Sequence, residues 1–199
     1  MQQFSTIKVW DISIRIFHWT LVIAFFIAYL SGDKLETVHT YAGYYILGLL
    51  LYRVIWGLIG TRYARFSSFL FTPTQILAYL KSMFAGKADH YLGHNPAGSV
   101  MVFMLLISLV ITTWTGLELY ATEGKGPLAE NIMSVNSVAY ANGNEQHGGN
   151  EEFWEELHEV FSNLTLILVG LHILGVLFSA RLHKENLVQA MITGRKRVP

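Results

Sequence analysis

Residues 154–175 read WEELHEVFSNLTLILVGLHILG, and this stretch decides the fold class because it joins a membrane-length apolar run to two histidines. The 21 residues between Glu159 and Arg181 carry no charged side chain, which is enough to cross a bilayer as a helix. From His158 to His172 a helix turns to about 40° short of four full turns and rises roughly 21 Å. Both imidazoles therefore lie on nearly the same side of one helix, at two depths. A histidine in hydrocarbon is costly unless it is paired or ligated, so both are candidate functional residues.

The composition indicates a small integral membrane protein. Of the 199 residues, 52% are hydrophobic and only 14% are charged, with a mean hydropathy of +0.38. Soluble domains are nearer about 25% charged. Cysteine is absent, which excludes disulfides, thiolate-bound iron–sulfur clusters, zinc ribbons and covalent c-type haem attachment. Any bound metal must therefore be held by histidine or oxygen.

Four apolar stretches qualify as membrane spans, at about 16–30, 39–60, 98–117 and 157–180. The first lacks a clear cleavage pattern, and we interpret it as a retained span. Most of the lysines and arginines fall in the two terminal segments and in the connection between the second and third spans. By the positive-inside rule, both termini are then cytoplasmic. The predicted fold is an all-α membrane protein, a four-helix transmembrane bundle forming a single domain over residues 1–199.

Two of the connections between spans have a composition that predicts their structure. The one at about 118–156 is long, acidic and rich in Gly and Asn, which predicts a mobile outer loop with a short helix entering the fourth span. Its glutamates could steer a basic partner, or they could simply be solvated. In the connection after the second span, Thr72 is a candidate N-cap and Pro73 fits the first helical turn, which predicts an amphipathic helix on the membrane surface.

The histidines of the spans fall into two levels. Because successive spans alternate in direction, His18 and His172 share the cytoplasmic level, and His39 and His158 share the outer level. Two imidazoles facing each other suit the axial positions of a low-spin haem iron, whereas zinc would need further ligands at each level. The alternative is that they are hydrogen-bonded structural residues. The remaining histidines are interpreted as interfacial or solvated, with His94 a minor candidate for a quinone or propionate site; they are His90, His94, His147 and His183.

Two arginines are candidate partners of a haem propionate. Arg53 follows His39 by 14 residues and so lies at the depth of His18 and His172. The alternative for Arg53 is snorkelling to the cytoplasmic interface. Arg15 lies about one turn before His18 and is the second candidate.

Several motifs resemble the bacterial cytochrome b561 family, which includes the b-type cytochrome subunits of nickel–iron hydrogenases and the gamma subunit of formate dehydrogenase. They are RIFHW at 15–19, VHTYAGY at 38–44, the His158/His172 pair and, as in free-standing members, LHKENLVQAMITGRKR at 182–197. The resemblance implies that His18 and His172 bind a cytoplasmic-side haem b and that His39 and His158 bind a periplasmic-side haem b. It also implies electron exchange between the membrane quinone pool and a periplasmic redox partner, often a c-type cytochrome.

The sequence therefore predicts a diheme b-type cytochrome that crosses the bacterial inner membrane several times, is surrounded by lipid and has no nucleic-acid partner. One alternative is a stand-alone quinol-dependent oxidoreductase that acts at an exposed haem edge. A second is a haem-free, histidine-lined transporter, which is disfavoured because the spans contain no Asp or Glu other than Glu159 at the outer end of the fourth.

Overall fold

The computed structural model describes residues 6–32, 34–129 and 147–197, with the backbone alone at 147–150 and 197. The described part is almost entirely helical. In chain order its elements are β1 (Thr6–Lys8), α1 (Ile12–Ser31), α2 (Glu36–Ile59), a 3-10 turn (Phe66–Ser68), α3 (Pro73–Phe84), α4 (Pro96–Thr122), α5 (His147–His183), α6 (Leu187–Thr193) and β2 (Arg195–Arg197). Four of these helices, namely α1, α2, α4 and α5, are long and apolar enough to cross a membrane. The predicted class, an all-α membrane protein with four spans, is confirmed.

The spanning helices leave many large apolar side chains exposed. Ile23 and Leu30 of α1, Leu58 of α2 and Leu174 of α5 are examples. In water such a surface would aggregate, whereas in a bilayer it contacts acyl chains. The N-terminus of α1 is set by Asp11, whose carboxylate accepts a hydrogen bond from the Ile14 amide at 2.9 Å.

The contacts of the chain divide it into two compact units. The first unit comprises Met1–Leu105 and Leu168–Pro199. Within it α1 packs against α2, and β1 pairs antiparallel with β2, with Thr6 opposite Arg197. The turn before β2 is made by Gly194, whose φ of +78 favours glycine and whose carbonyl accepts hydrogen bonds from the Val9 and Trp10 amides. The first and last strands therefore lie at one end of this unit.

The second unit, Leu106–Ile167, contains the C-terminal part of α4 and the N-terminal part of α5. Ser108 and Thr165 are both buried, and their hydroxyl oxygens lie 2.6 Å apart. The Thr112 hydroxyl lies 3.3 Å from that of Thr165. Small hydroxyl residues let two membrane helices approach closely and join them by hydrogen bonds, and this unit uses them in that way.

The connections differ in part from expectation. Residues 118–122 belong to α4 and residues 147–156 to α5, so the loop predicted at about 118–156 is shorter at both ends. The segment EEFWEELHE consists largely of good helix formers, which extends α5 ahead of its apolar run. Residues 130–146 lie outside the described part. The predicted start of α3 is confirmed, because Thr72 caps it and forms a reciprocal capping box with Gln75. Its placement on the membrane surface stays a prediction.

Candidate functional site

Two of the four predicted ligand histidines face each other in the first unit. The rings of His18, from α1, and His172, from α5, have centroids 6.4 Å apart and planes inclined at 54°. A metal-bound imidazole nitrogen lies about 2 Å from its metal, so two rings on opposite sides of one ion have centroids roughly 6 to 6.5 Å apart. The observed spacing thus fits a single metal ion held by two axial imidazoles. Nδ1 of His18 is buried and has no hydrogen-bond partner in the described part, so packing alone holds this ring.

The arginines predicted to serve this pair are both in the first unit. Arg53 is only 4% exposed, and its guanidinium lies over the Phe66 ring at 4.5 Å. One of its terminal nitrogens is buried without a hydrogen-bond partner among the described residues. This burial does not match snorkelling to the interface. A buried guanidinium with an unsatisfied donor is costly, and an anionic group placed beside it would remove that cost.

Arg15 is held differently. One of its terminal nitrogens donates to the Ile192 carbonyl in α6, while its Nε is buried without a partner among the residues described. Asp11 attracts Arg53 electrostatically, and its carboxylate accepts hydrogen bonds from the Ile14 amide, from the Thr61 hydroxyl at 2.5 Å and from the Trp56 indole at 3.3 Å. Two cationic side chains of the unit that holds the His18–His172 pair therefore keep buried donors for an anionic ligand.

His158 is oriented by its own unit. Its Nδ1 lies 3.0 Å from the Thr112 carbonyl oxygen and 3.2 Å from the Thr115 hydroxyl. Because a carbonyl can only accept, the hydrogen sits on Nδ1 and the lone pair on Nε2, the form that binds a metal. Gly116 leaves room for the ring, since a Cβ there would lie 2.9 Å from Cε1 of His158.

His39 begins α2 in the first unit, and it shows the same arrangement. Its Nδ1 lies 2.9 Å from the Ala28 carbonyl oxygen of α1. The same reasoning assigns the hydrogen to Nδ1 and the lone pair to Nε2. The predicted pairing of His39 with His158 stays a prediction.

The glycines of the spans serve more than one purpose. At Gly57 a Cβ would lie 2.1 Å from the Phe66 ring, so this residue is small in order to admit Phe66 against α2. Beside Gly43, Gly170 and Gly175 a Cβ would meet no protein atom within 4 Å. Gly57 therefore serves helix packing, while Gly43, Gly170 and Gly175 leave space against the backbone that a flat ligand or lipid can contact.

The sequence interpretation missed the position of His94. Its Nδ1 is buried, and its ring lies 4.8 Å from the Trp10 ring and 4.4 Å from the Phe69 ring. The sequence predicts an interfacial or solvated residue, with a quinone or propionate site as the minor alternative. The sequence does carry a signal for this burial, the dipeptide Asn95–Pro96. The Asn95 side chain caps α4 by accepting from the Gly98 amide at 2.7 Å, and this cap anchors the preceding residue, His94. Two other histidines carry the same prediction of an interfacial or solvated position. His90 pairs with Glu185 at 3.1 Å, and the side chain of His147 lies outside the described part.

An open cavity of about 400 Å³ lies beside His94 in the first unit. Its walls include aromatic, basic and hydroxyl side chains, among them Arg62, Tyr63, Ser68, His90 and Tyr91. In the described part of the chain, three or more His, Asp or Glu side chains do not come together as a metal cluster. Paired imidazoles are thus the metal-binding arrangement that the described residues offer.

Four membrane-length helices with a facing histidine pair and unsatisfied arginines define a class, the b-type membrane cytochromes. The prokaryotic cytochrome b561 family matches residues 9–194, and the chain belongs to that family. It is 22% identical to a probable Ni/Fe-hydrogenase B-type cytochrome subunit of Azotobacter chroococcum mcd 1, over 96% of this chain and 88% of the relative. It is 26% identical to a protein of the same description from Azotobacter vinelandii, over 61% of this chain and 62% of the relative. No solved structure matches.

Membership of this family makes the chain a multi-pass bacterial membrane protein that binds haem b and transfers electrons. The residues present fit that cofactor at the inner level, because the His18–His172 spacing suits one iron and the neighbouring guanidiniums have donors for carboxylates.

Proposed function

We propose that the chain is a single-domain diheme relay that moves electrons between the membrane quinone pool and a periplasmic redox protein such as a c-type cytochrome. His18 and His172 bind the haem nearer the cytoplasm, and His39 and His158 bind the haem nearer the periplasm. The observation that carries the proposal is the 6.4 Å spacing of the His18 and His172 rings. The outer pair rests on the helix spacing in the sequence, since His158 precedes His172 by about 21 Å of helix.

The orientation follows from charge. With β1 paired to β2, the basic residues of both terminal segments share one side, and the positive-inside rule assigns that side to the cytoplasm. The inner haem is then the one that exchanges electrons on the cytoplasmic side of the bilayer, and the outer haem faces the periplasm.

At the inner level the chain holds and tunes the cofactor. Haem supplies a one-electron iron couple when it is bound. His18 and His172 fix the iron from two helices, and Arg15 and Arg53 each offer a buried donor to a propionate. Cationic charge near the iron favours the reduced form, so these arginines raise the potential of the inner haem.

Quinone exchange is assigned to the cavity beside His94. Tyr63, Ser68 and His90 line it with groups that can donate to a quinone carbonyl, and Phe71 adds an apolar wall. A stand-alone quinol oxidoreductase would bind its quinol in the same cavity, so the cavity supports this alternative function as well. Quinol oxidation by the purified chain, with oxygen as the sole acceptor and at rates matching those with an added c-type cytochrome, would favour the enzyme over the relay.

The periplasmic partner is proposed to be basic where it docks. Glu151, Glu152, Glu155 and Glu156 are exposed on the first turns of α5. Charged surfaces speed association with an oppositely charged partner, and the effect falls with added salt. Electron transfer to a basic c-type cytochrome should slow as ionic strength rises, and a salt-independent rate would count against this docking surface.

The experiment that tests the relay is the haem content and redox titration of the detergent-purified chain and its ligand variants. We expect two non-covalent b haems per wild-type chain. His18→Ala and His172→Ala should remove one and the same spectral component, and His39→Ala and His158→Ala should remove the other. His183→Ala, at the end of α5, is the matched control and should keep both haems. Loss of the same component in His172→Ala and His39→Ala would refute the pairing, and a wild-type chain without haem would refute the relay.

A further inference from the structure

Four side-chain nitrogens of the first unit are buried without hydrogen-bond partners among the described residues: Nδ1 of His18, Nε of Arg15, a terminal nitrogen of Arg53 and Nδ1 of His94. His18 is a proposed haem ligand, which leaves the other three. Buried donors in proteins are nearly always paired, so each of these needs an explanation. The two arginines are accounted for by the propionates of the inner haem, whereas His94 has no role assigned so far.

His94 is joined to both arginines through contacts that the structure shows. On one side, its ring packs on Phe69, Phe69 packs on Phe66 at 5.9 Å, and Arg53 lies over Phe66. On the other side, its ring packs on the Trp10 ring, and the Trp10 carbonyl and Nε of Arg15 both lie beside Gly194. These contacts, with the electrostatic interaction of His94 and Arg53, place the three nitrogens in one part of the first unit, on residues distant in the sequence.

This part of the unit has an excess of positive charge and donors. Asp11, the acidic residue that interacts with Arg53, already accepts three hydrogen bonds. The other nearby carboxylate, that of Glu185, pairs with His90 and with Lys196. An anionic group from outside the chain is the partner that these donors lack. A haem held between His18 and His172 brings two carboxylates to this end of the unit.

His94 itself is a neutral donor. Burial, helped by the positive charges of Arg53 and Lys196, lowers the pKa of His94 to about 3. Its imidazole is then neutral near neutral pH and carries one N–H, which can be on Nδ1. His94 also interacts electrostatically with His172, which places it beside the inner ligand pair.

We propose that His94 donates its Nδ1–H to a propionate of the inner haem, as the third member of an anchor completed by Arg15 and Arg53. His94 is thus a positioning residue that fastens the connection between α3 and α4 to the cofactor. The inference rests on the proposed binding of a haem by His18 and His172.

Aromatic packing is the competing explanation, since His94 lies between Trp10 and Phe69. A phenylalanine would pack there equally well and would leave no buried nitrogen without a partner. The two roles therefore predict opposite results for two substitutions. His94→Phe keeps the ring and removes the donor, whereas His94→Gln keeps a donor and removes the ring.

The experiment measures, for each haem, the rate of transfer to an excess of haem-accepting protein and the midpoint potential. For His94→Phe we expect the inner haem to leave about tenfold faster or more, because a hydrogen bond to a charged group is lost. Its potential should fall, since the propionate charge is less neutralised and favours ferric iron. His94→Gln should restore most of both values. The outer haem should keep its rate and potential in both variants, which shows that the fold is intact.

His183→Phe is the matched control, because His183 is another partly buried histidine of the first unit that packs on the His90 ring at 5.5 Å and does not line the cavity. It should leave the inner haem unchanged. A wild-type rate and potential in His94→Phe, or a loss in His94→Gln as large as in His94→Phe, would assign packing to His94 and overturn the proposal. Should His94→Phe not accumulate in membranes, His94→Met replaces it, since methionine adapts to irregular sites.

Failure of this inference is distinguishable from failure of the relay. If His18→Ala and His172→Ala remove one haem while His94→Phe changes nothing, the relay stands and His94 is not part of the anchor. If the wild-type chain holds no haem, both fail together.

Discussion

The inner and outer histidines are held in place by different means. His39 and His158 each present Nδ1 to a backbone carbonyl, of Ala28 and Thr112 respectively. His18 has no such bond within the described residues, and its surroundings contain buried arginine donors instead. At His39 and His158, then, a backbone carbonyl sets the tautomer and the ring orientation. At His18 packing sets the ring, and under the proposed function an anionic ligand would complete the buried arginine donors.

This difference has an electronic consequence. A hydrogen bond from Nδ1 to a carbonyl makes the ligating nitrogen more basic, which favours ferric iron. Buried guanidiniums favour ferrous iron by their charge. The outer haem should therefore have the lower potential of the two.

The largest effect is expected from Arg53→Leu. Removing a fully desolvated guanidinium from its carboxylate partner costs roughly 2–5 kcal/mol, so the inner haem should be bound weakly or lost. Any inner haem that remains should have a lower potential. Haem content and redox titration measure both quantities.

Arg62→Leu is the control for Arg53→Leu, because Arg62 is an exposed arginine that lies over Tyr63 rather than beside the histidine pair. Its haem content should equal that of the wild type. Equal haem content in the two variants would show that Arg53 does not contribute to haem binding.

A moderate effect confined to the outer level is expected from Gly116→Ala. The added Cβ would lie 2.9 Å from Cε1 of His158, so the ring must turn away from its bond to the Thr112 carbonyl. Electron paramagnetic resonance of the ferric protein should show a shifted outer-haem signal, with the inner signal unchanged. Gly48→Ala is the control, since a Cβ at Gly48 meets no protein atom within 4 Å. A shift of the inner signal alone would contradict the assignment of His158 to the outer level.

The smallest effect is a dependence on pH that only the inner level should show. Burial raises the pKa of Asp11, but hydrogen bonds from Thr61, Ile14 and Trp56 outweigh it and hold the pKa below the ordinary carboxyl value of 3.8. A lowered pKa means that the carboxylate stabilises the fold above the ordinary value and loses this contribution as the pH falls through the lowered one. Thermal release of the inner haem should thus become easier in strong acid.

Asp11→Asn tests the origin of that dependence, because it keeps an oxygen that can accept from Ile14 but removes the titrating group. The variant should release the inner haem more easily near neutral pH and should show a flatter acid dependence. An acid dependence identical to that of the wild type would assign the effect to another group.

The sequence predicts those parts of the molecule that depend on local patterns. Hydropathy alone locates the four spans, because the bilayer requires about 20 apolar residues in each. The meeting of His18 and His172 follows from helix periodicity and from the alternation of spans. The start of α3 follows from Thr72, Pro73 and Gln75, since capping involves residues within one turn.

The parts that the sequence does not reveal depend on contacts between distant segments. His94 lies between Trp10 and Phe69, and neither neighbour is close to it in the chain. The role of Gly57 is similar, since only the position of Phe66 shows that a side chain could not fit there. The helix that enters the fourth span agrees with the prediction, whereas the extension of α4 to Thr122 does not, because composition marks a loop but does not mark where a helix stops.

The small sheet formed by β1 and β2 limits the membrane topologies that the chain can have. Thr6 pairs with Arg197, so these two residues lie on the same side of any membrane the chain crosses, and the number of crossings between them must be even. The four spanning helices of the described part satisfy this condition. A reporter placed beside either strand would therefore give the compartment of both strands.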